Sequence, residues 1–210
     1  GTGVAPTIKH FPGDGVDSRD QHLLTSVNSL SIEDWESTFG KIYRGLTAEG
    51  APVAMVGHFA MPAMEAYYDG KPCQQVIPAC VSKNVLRYLR EEVGFNGLIS
   101  TDASPMVGLM AVTNRAEAVP LTIQNGCDML LFTKDLEEDL QYLKGGLRNG
   151  LLTEERMNEA LTRILALKAM LHLPGKKATG QLLKKEEELS VLSCEEHMAW
   201  ATECADKGVT

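Results

Sequence analysis

Lys9-His10-Phe11-Pro12-Gly13-Asp14-Gly15-Val16-Asp17-Ser18-Arg19-Asp20-Gln21-His22 is the stretch whose reading decides the fold. It holds two histidines, three aspartates, a lysine and an arginine, with Pro12-Gly13 and Gly15 at the bends. It continues an apolar run at 4–8, so a strand over 4–10 is expected, with Pro6 a mild objection to a central position. A buried strand that runs straight into a loop dense with titratable groups is how parallel α/β sheets present their sites, at the carboxyl ends of the strands.

Three further apolar runs, 53–59, 97–101 and 129–133, have the same character. All four end on polar groups: Lys9 and His10, then His58, then Asp102, then Thr133 and Lys134. Helical patterns separate them. Ser31 is placed to cap a helix on which Trp35, Phe39, Ile42, Tyr43 and Leu46 share one face. Residues 60–81, rich in Pro, Gly, Met and Tyr, read as a long loop. Ser82 begins a helix with Val85, Leu86, Leu89 and Val93 on its face. Residues 106–125 read as a helix that Pro120 should kink or break. Asp135 caps another to about 147. Thr153 caps the next, which stacks Met157, Leu161, Ile164 and Leu165. Residues 172–192 read as a solvated linker or exposed helix, and Ser193 with Glu196 as a capping box for a last helix. The fold class is α/β, with four consecutive βα units and a parallel sheet of (βα)-barrel type. A closed barrel takes eight strands and about 250 residues. Four strands imply an open sheet or half of a TIM-like barrel.

Bulk composition narrows the function. The chain has 210 residues, 44% apolar and 23% charged, with a net charge of −8. That balance gives no electrostatic footprint for nucleic acid. No apolar stretch reaches the length of a membrane span, and the first residues are no signal peptide. Five cysteines, an odd number with no Cys-x-x-Cys spacing, read as reduced thiols and favour a cytoplasmic, reducing compartment.

Several collinear segments carry a resemblance. Lys9 to Gly15 resembles the signature of the family 3 glycoside hydrolases. Asp20-Gln21-His22 resembles the Asp-x-His element of its β-N-acetylglucosaminidase branch. Gly94-Phe95-Asn96-Gly97-Leu98-Ile99-Ser100-Thr101-Asp102 is similar to the family's nucleophile strand. Asn125-Gly126-Cys127-Asp128-Met129 and the helix over 163–173 are similar to its last barrel unit. The resemblance implies that residues 1–173 are the C-terminal half of a glycosidase (β/α)8 barrel, strands five to eight. Residues 174–210 would be a linker and the start of a further domain, with 208–210 entering a strand. A chain cut at both ends relative to such a protein is therefore expected, either completed by the missing N-terminal barrel half or forming a dimer.

The same resemblance implies a chemistry: an O-glycosyl hydrolase that removes terminal β-linked sugars, N-acetyl-β-glucosaminides first. A retaining glycosidase needs a carboxylate to attack the anomeric carbon and an acid/base for the leaving oxygen and the water. Asp102 would be the nucleophile. His22 would be the acid/base, held by Asp20; imidazole suits the task because its ordinary pKa lies near neutrality. Lys9 and His10 would bind the sugar, with His58 and Met106 as further substrate contacts. His58 reads equally well as a satisfied core histidine. Asp17 and Arg19 either orient the loop or do nothing specific. Neither a cofactor nor a metal is expected. The sequence departs from the family pattern at Asp14, where histidine is common, at Ala103, where a second aspartate is common, and at Gln21, where a small residue is common. Sugar clamps from the earlier strands have no counterpart. Two alternatives stand beside this reading: a β-glucosidase-like enzyme of the same family, and a metal-assisted hydrolase built on His10, His22 and His58 with Asp14 and Asp20.

Overall fold

Four strands, β1 (Thr7–Phe11), β2 (Val53–Val56), β3 (Leu98–Ala103) and β4 (Met129–Leu131), form one sheet in sequence order, every neighbouring pair parallel. The computed structural model describes residues 3–209. The four successive βα units make the architecture of half a TIM-like barrel. β2 and β3 pair in unbroken register from Val53 opposite Leu98 to Val56 opposite Thr101. β1 starts later than expected. Pro6 offers no N–H to a ladder and Val4 is exposed, so pairing begins at Thr7.

The connection from β1 to β2 has three helical parts: α1 (Ile32–Trp35), a π turn (Glu36–Gly40) and α2 (Lys41–Ala48). Ser31 caps it, its Oγ accepting from the Asp34 amide at 3.0 Å. The predicted apolar face does not run straight through. Trp35 and Tyr43 are buried, whereas Ile42 and Leu46 are exposed. A π turn takes more residues per turn than an α turn, so positions beyond it rotate off the original face.

Residues 60–81 are not one loop. Pro62 opens helix α3 (Pro62–Asp69), where its missing N–H costs nothing, and Gly70 closes it in the left-handed conformation. A 3-10 turn (Ala79–Val81) follows. The buried Glu65 then accepts from Ser82 Oγ and Asn84 Nδ2, fastening α3 to the start of α4 (Lys83–Glu91). α4 buries Val85, Leu86, Tyr88 and Leu89. Phe11 meets Tyr43 and Trp35 edge-on at 5.0 Å and 5.8 Å, Tyr88 meets Trp35 edge-on, and Trp35 stacks on Tyr43 in the same core. Such pairs contribute about 0.5–1.5 kcal/mol each beyond their burial.

Residues 106–125 break where sequence did not place the break. Helix α5 (Val107–Met110) ends early, and α6 (Arg115–Asn125) begins at the cap Asn114, whose Oδ1 accepts from the Ala116 amide. Pro120 stays inside α6, buried against Gly146 of α7 (Leu136–Asn149). Asp135 caps α7 and Thr153 caps α8 (Glu154–Met170), as their spacing predicts.

At the amino ends of β3 and β4, the fully buried Asp128 accepts from the Ile99 amide and from Arg90 and Arg156, each guanidinium at 2.7 Å. Three elements are thereby pinned to one carboxylate. Burial lowers the Arg90 pKa, and Asp128 opposes that shift.

The contacts divide the chain into two units, Gly1–Leu167 and Lys168–Thr210. The second contains α9 (Leu173–Ala178), a 3-10 turn (Glu186–Val191) and α10 (Glu195–Gly208). The Ser193 capping box does not form. Ser193 adopts a positive φ and Cys194 stands at the cap without a side-chain bond. Helix continues through Gly208, where a strand entry was expected; Thr210 lies outside the described residues. All five cysteines are free thiols. Among the described residues no helix is long and apolar enough to cross a membrane.

Candidate active site

β3 delivers Asp102 at its carboxyl end, its side chain about nine-tenths buried. One carboxylate oxygen accepts from the Ala103 amide at 2.8 Å. The other faces His10 Nε2 at 3.5 Å. A backbone amide on one oxygen and an imidazole near the other fix the carboxylate's direction. This is what a group that must attack along one line requires.

His10 comes from the end of β1. Its Nδ1 lies 3.5 Å from Asp14, so the imidazole sits between two carboxylates. Burial nevertheless lowers its pKa, opposed chiefly by Asp102 and reinforced by Lys9. Lys9 is exposed on the neighbouring position of the strand. The residue that departs from the family pattern, Asp14, is thus the second partner of His10.

The Asp20–His22 pair forms as expected. His22 Nδ1 lies 2.7 Å from Asp20 Oδ1, and the same oxygen accepts the His22 amide at 2.8 Å. Those two bonds, backbone first, hold the Asp20 carboxyl below its usual range. The His22 side chain is 68% exposed. It also lies within electrostatic reach of His10.

An exposed pair needs a fixed support, and the loop supplies several. Asp17 gathers the Arg19 guanidinium, the Arg19 amide and the Val27 amide, which holds its carboxyl far below the ordinary range. Asp17 and Arg19 therefore form a clasp within the loop. Asn28 Nδ2 donates to the Gly13 carbonyl at 3.0 Å, and Trp35 Nε1 donates to the Pro12 carbonyl. On the far side the loop rests on α5. The Val107 amide donates to the His22 carbonyl at 3.3 Å, and the Gly108 amide to the Gln21 carbonyl at 3.0 Å. Thr25 Oγ1 donates to the Gly108 carbonyl at 2.6 Å. A Cβ on Gly108 would stand 2.5 Å from the Gln21 carbonyl oxygen, so this approach requires glycine.

His58 is a core histidine. It is fully buried, with Nδ1 3.1 Å from Cys80 Sγ and Nε2 2.9 Å from the Ala103 carbonyl. Burial lowers its pKa. With both ring nitrogens engaged it braces the backbone beside Asp102 and presents no free nitrogen to a sugar, which corrects its place among the expected substrate contacts. Met106 caps α5 from a buried position. The proposed metal cluster of His10, His22 and His58 does not assemble, because His58 is consumed in the core. Among the described residues no three His, Cys, Asp or Glu side chains converge to hold an ion.

Sequence reading gave Gln21 no role beyond a departure from pattern and did not single out Gly108. Both act through residues far away in the chain, and neither carries a spacing signal. Gln21 is buried, its Oε1 accepting from the His58 amide at 2.9 Å and its Nε2 donating to Asp14 at 3.3 Å.

The chain is 46% identical over 210 residues to a β-N-acetylglucosaminidase/β-glucosidase of Cellulomonas fimi, covering 99% of this chain and 36% of that protein. It is 30% identical over 176 residues to the β-hexosaminidase LpqI of Mycobacterium tuberculosis, covering 79% of this chain and 42% of the relative. Among solved structures, the β-glucoside phosphorylase BglX bound to 2FGlc superposes with a TM-score of 0.88 at 44% identity, covering 95% of this chain and 36% of that one. A family 3 β-N-acetylglucosaminidase from Paenibacillus sp. superposes with a TM-score of 0.73 at 28% identity, covering 82% and 32%. The chain therefore spans well under half the length of these relatives. The family model for the glycosyl hydrolase family 3 N terminal domain matches residues 1–167. On that match, and on the identity to its curated relatives, the chain belongs to glycosyl hydrolase family 3.

Proposed function

We propose that this chain supplies the nucleophile and the acid/base of a retaining β-glycosidase. Its substrates are terminal β-linked sugars, N-acetyl-β-glucosaminides foremost. The observation that supports this most is the pairing of two separate devices: an aimed carboxylate at Asp102 and a proton-transfer pair, Asp20–His22, mounted on the helix that follows it. Asp102 attacks the anomeric carbon as the bond to the leaving oxygen breaks, and the His22 imidazolium gives that oxygen its proton. A glycosyl ester on Asp102 results. Neutral His22 then takes a proton from water as the water oxygen attacks the same carbon, and the ester bond returns its electron pair to Asp102. Asp20 stabilises the imidazolium and fixes which nitrogen faces the substrate. Lys9 and His10 hydrogen-bond the sugar, with Met106 walling the same subsite.

In the same proposal the chain is the second half of a barrel whose first half contributes the remaining sugar contacts. The free cysteines suit a cytoplasmic setting. With both halves present, Asp102→Ala is expected to cut turnover of an aryl N-acetyl-β-glucosaminide by about 10⁴-fold or more. Wild-type turnover by that variant would sink the reading. The first sugar released should have the β configuration, seen directly by proton NMR. The same assay on aryl β-glucosides decides the sugar preference.

A second reading concerns the acceptor. The chain is 44% identical to a structure described as a β-glucoside phosphorylase. A carboxylate acid/base would repel a phosphate dianion approaching the glycosyl ester, whereas a neutral imidazole does not. Phosphate added to the assay, with sugar 1-phosphate measured against free sugar, separates phosphorolysis from hydrolysis.

A further inference from the structure

We propose that Gln21 is the positioning residue of the proton-transfer pair, reading the place of the nucleophile strand and fixing His22 to match. The inference rests on the roles given above to His22 and Asp102. Gln21 stands between two exposed side chains, Asp20 and His22, yet is itself only 4% exposed. Its amide is used at both ends. Oε1 accepts from the His58 amide, and the His58 ring is in turn fixed to the Ala103 carbonyl, next to Asp102. Nε2 donates to Asp14, whose carboxylate neighbours His10, and His10 neighbours Asp102. Two routes therefore run from one side chain to the nucleophile. A third contact is through the main chain, where the Gln21 carbonyl accepts from the Gly108 amide at a place too close for a Cβ.

The residue type follows from these partners. One end must accept from an amide and the other must donate to a carboxylate, which a side-chain amide does in either protonation range because it does not titrate. Glutamate would set one carboxylate against another. Asparagine is one methylene short of spanning the gap, and a small residue reaches neither partner. Loss of the bond from the His58 amide is the costly one, because that amide is buried and has no water to turn to, whereas Asp14 is half exposed.

The test uses Gln21→Met, which keeps length and volume, and Gln21→Asn, which keeps the amide but not the reach. His22→Ala serves as reference, all in protein with both barrel halves present. Substrates are N-acetyl-β-glucosaminides with alkyl and 2,4-dinitrophenyl leaving groups. Misplacing an acid/base hurts poor leaving groups most, and slows release of the glycosyl ester unless a small anion replaces the activated water. Both Gln21 variants are expected to lose about 10²-fold in kcat/KM on the alkyl glycoside. On the dinitrophenyl glycoside kcat/KM should change by less than about 3-fold, with kcat lowered and restored by azide. An equal loss on both substrates with no azide effect, while His22→Ala shows the full pattern, makes Gln21 a purely structural residue and overturns the proposal. If His22→Ala lacks the pattern, the acid/base assignment itself falls, and this proposal with it. Should Gln21→Met not fold, Gln21→Asn decides. Hydrogen exchange on the 210-residue chain adds a readout independent of activity. Protection of the Val107 and Gly108 amides is expected to drop in both variants, with β2 and β3 unchanged; unchanged protection at those two amides counts against the proposal.

Discussion

The two inner histidines, His10 and His58, carry a pH dependence that can be worked out residue by residue. Both have pKa values pushed below the ordinary 6.5, burial being the largest cause in each, so the fold favours their neutral forms. The unfolded chain takes up protons as pH falls through 6.5, while the folded chain resists until its lower values are reached. Their contribution to stability is therefore complete above that range and is lost as the solution is acidified through it. Urea midpoints should fall from about pH 7.5 to about pH 5.5. His58→Gln, whose amide can still donate to the Ala103 carbonyl, should flatten that slope; an unchanged slope would remove His58 from the account. Residues of this kind divide sharply in how well sequence exposes them. Asp20 and His22 are two positions apart, so their bond is visible as a spacing. His10 and Asp102 meet only because β1 and β3 end at the same side of a sheet, which sequence gives through strand ends alone. Gln21 acts on Asp14 and His58 through contacts with no periodicity, and only the folded structure reveals it.

The strands and most helices were legible because each carries a local pattern: apolar runs ending in polar groups, and Ser31, Ser82, Asp135 and Thr153 as caps. The misread elements are those in which a wider contact overrides the pattern. The π turn redirects α2, Pro62 opens a helix in a stretch whose composition suggests loop, and Pro120 is kept inside α6 by its packing. Helix α7 offers a paired test of that last point. A Cβ on Gly146 would stand 2.5 Å from Pro120 Cβ, whereas one on Gly145 would meet nothing within 4 Å. Gly146→Ala is expected to destabilise by about 1–3 kcal/mol through overpacking. Gly145→Ala should stabilise by up to about 1 kcal/mol, because alanine gives up less freedom in a helix. Equal effects in thermal melts would show that α6 and α7 are not packed as closely as described.

At the scale of the barrel unit, the sheet ends in two edge strands, β1 and β4. Beside β1 a groove of about 280 Å3 is lined by Ile8, His10, Asp14, Phe39, Ile42 and Leu46. Beside β4, Phe132, Leu136 and Leu140 are exposed. Open edges and apolar flanks of this kind favour association. The 210-residue chain alone should self-associate at micromolar concentration in sedimentation velocity, and the double variant Ile42→Glu, Leu46→Lys should reduce this without lowering the urea midpoint. A monomer at all concentrations would contradict that. Between those flanks the docking of the His22 loop on α5 has a further meaning. Only four residues, 103–106, separate Asp102 from the helix that carries the loop. Asp102 and His22, the proposed nucleophile and proton donor, share one short mount, so a tilt of β3 carries both together and leaves their mutual alignment intact. What such a tilt changes is where the pair points relative to walls fixed elsewhere. Under the proposed function, drift in the barrel retunes which sugar is accepted while the chemistry survives, and mutational tolerance should be greater across the sugar walls than along the segment from Asp102 to Gly108.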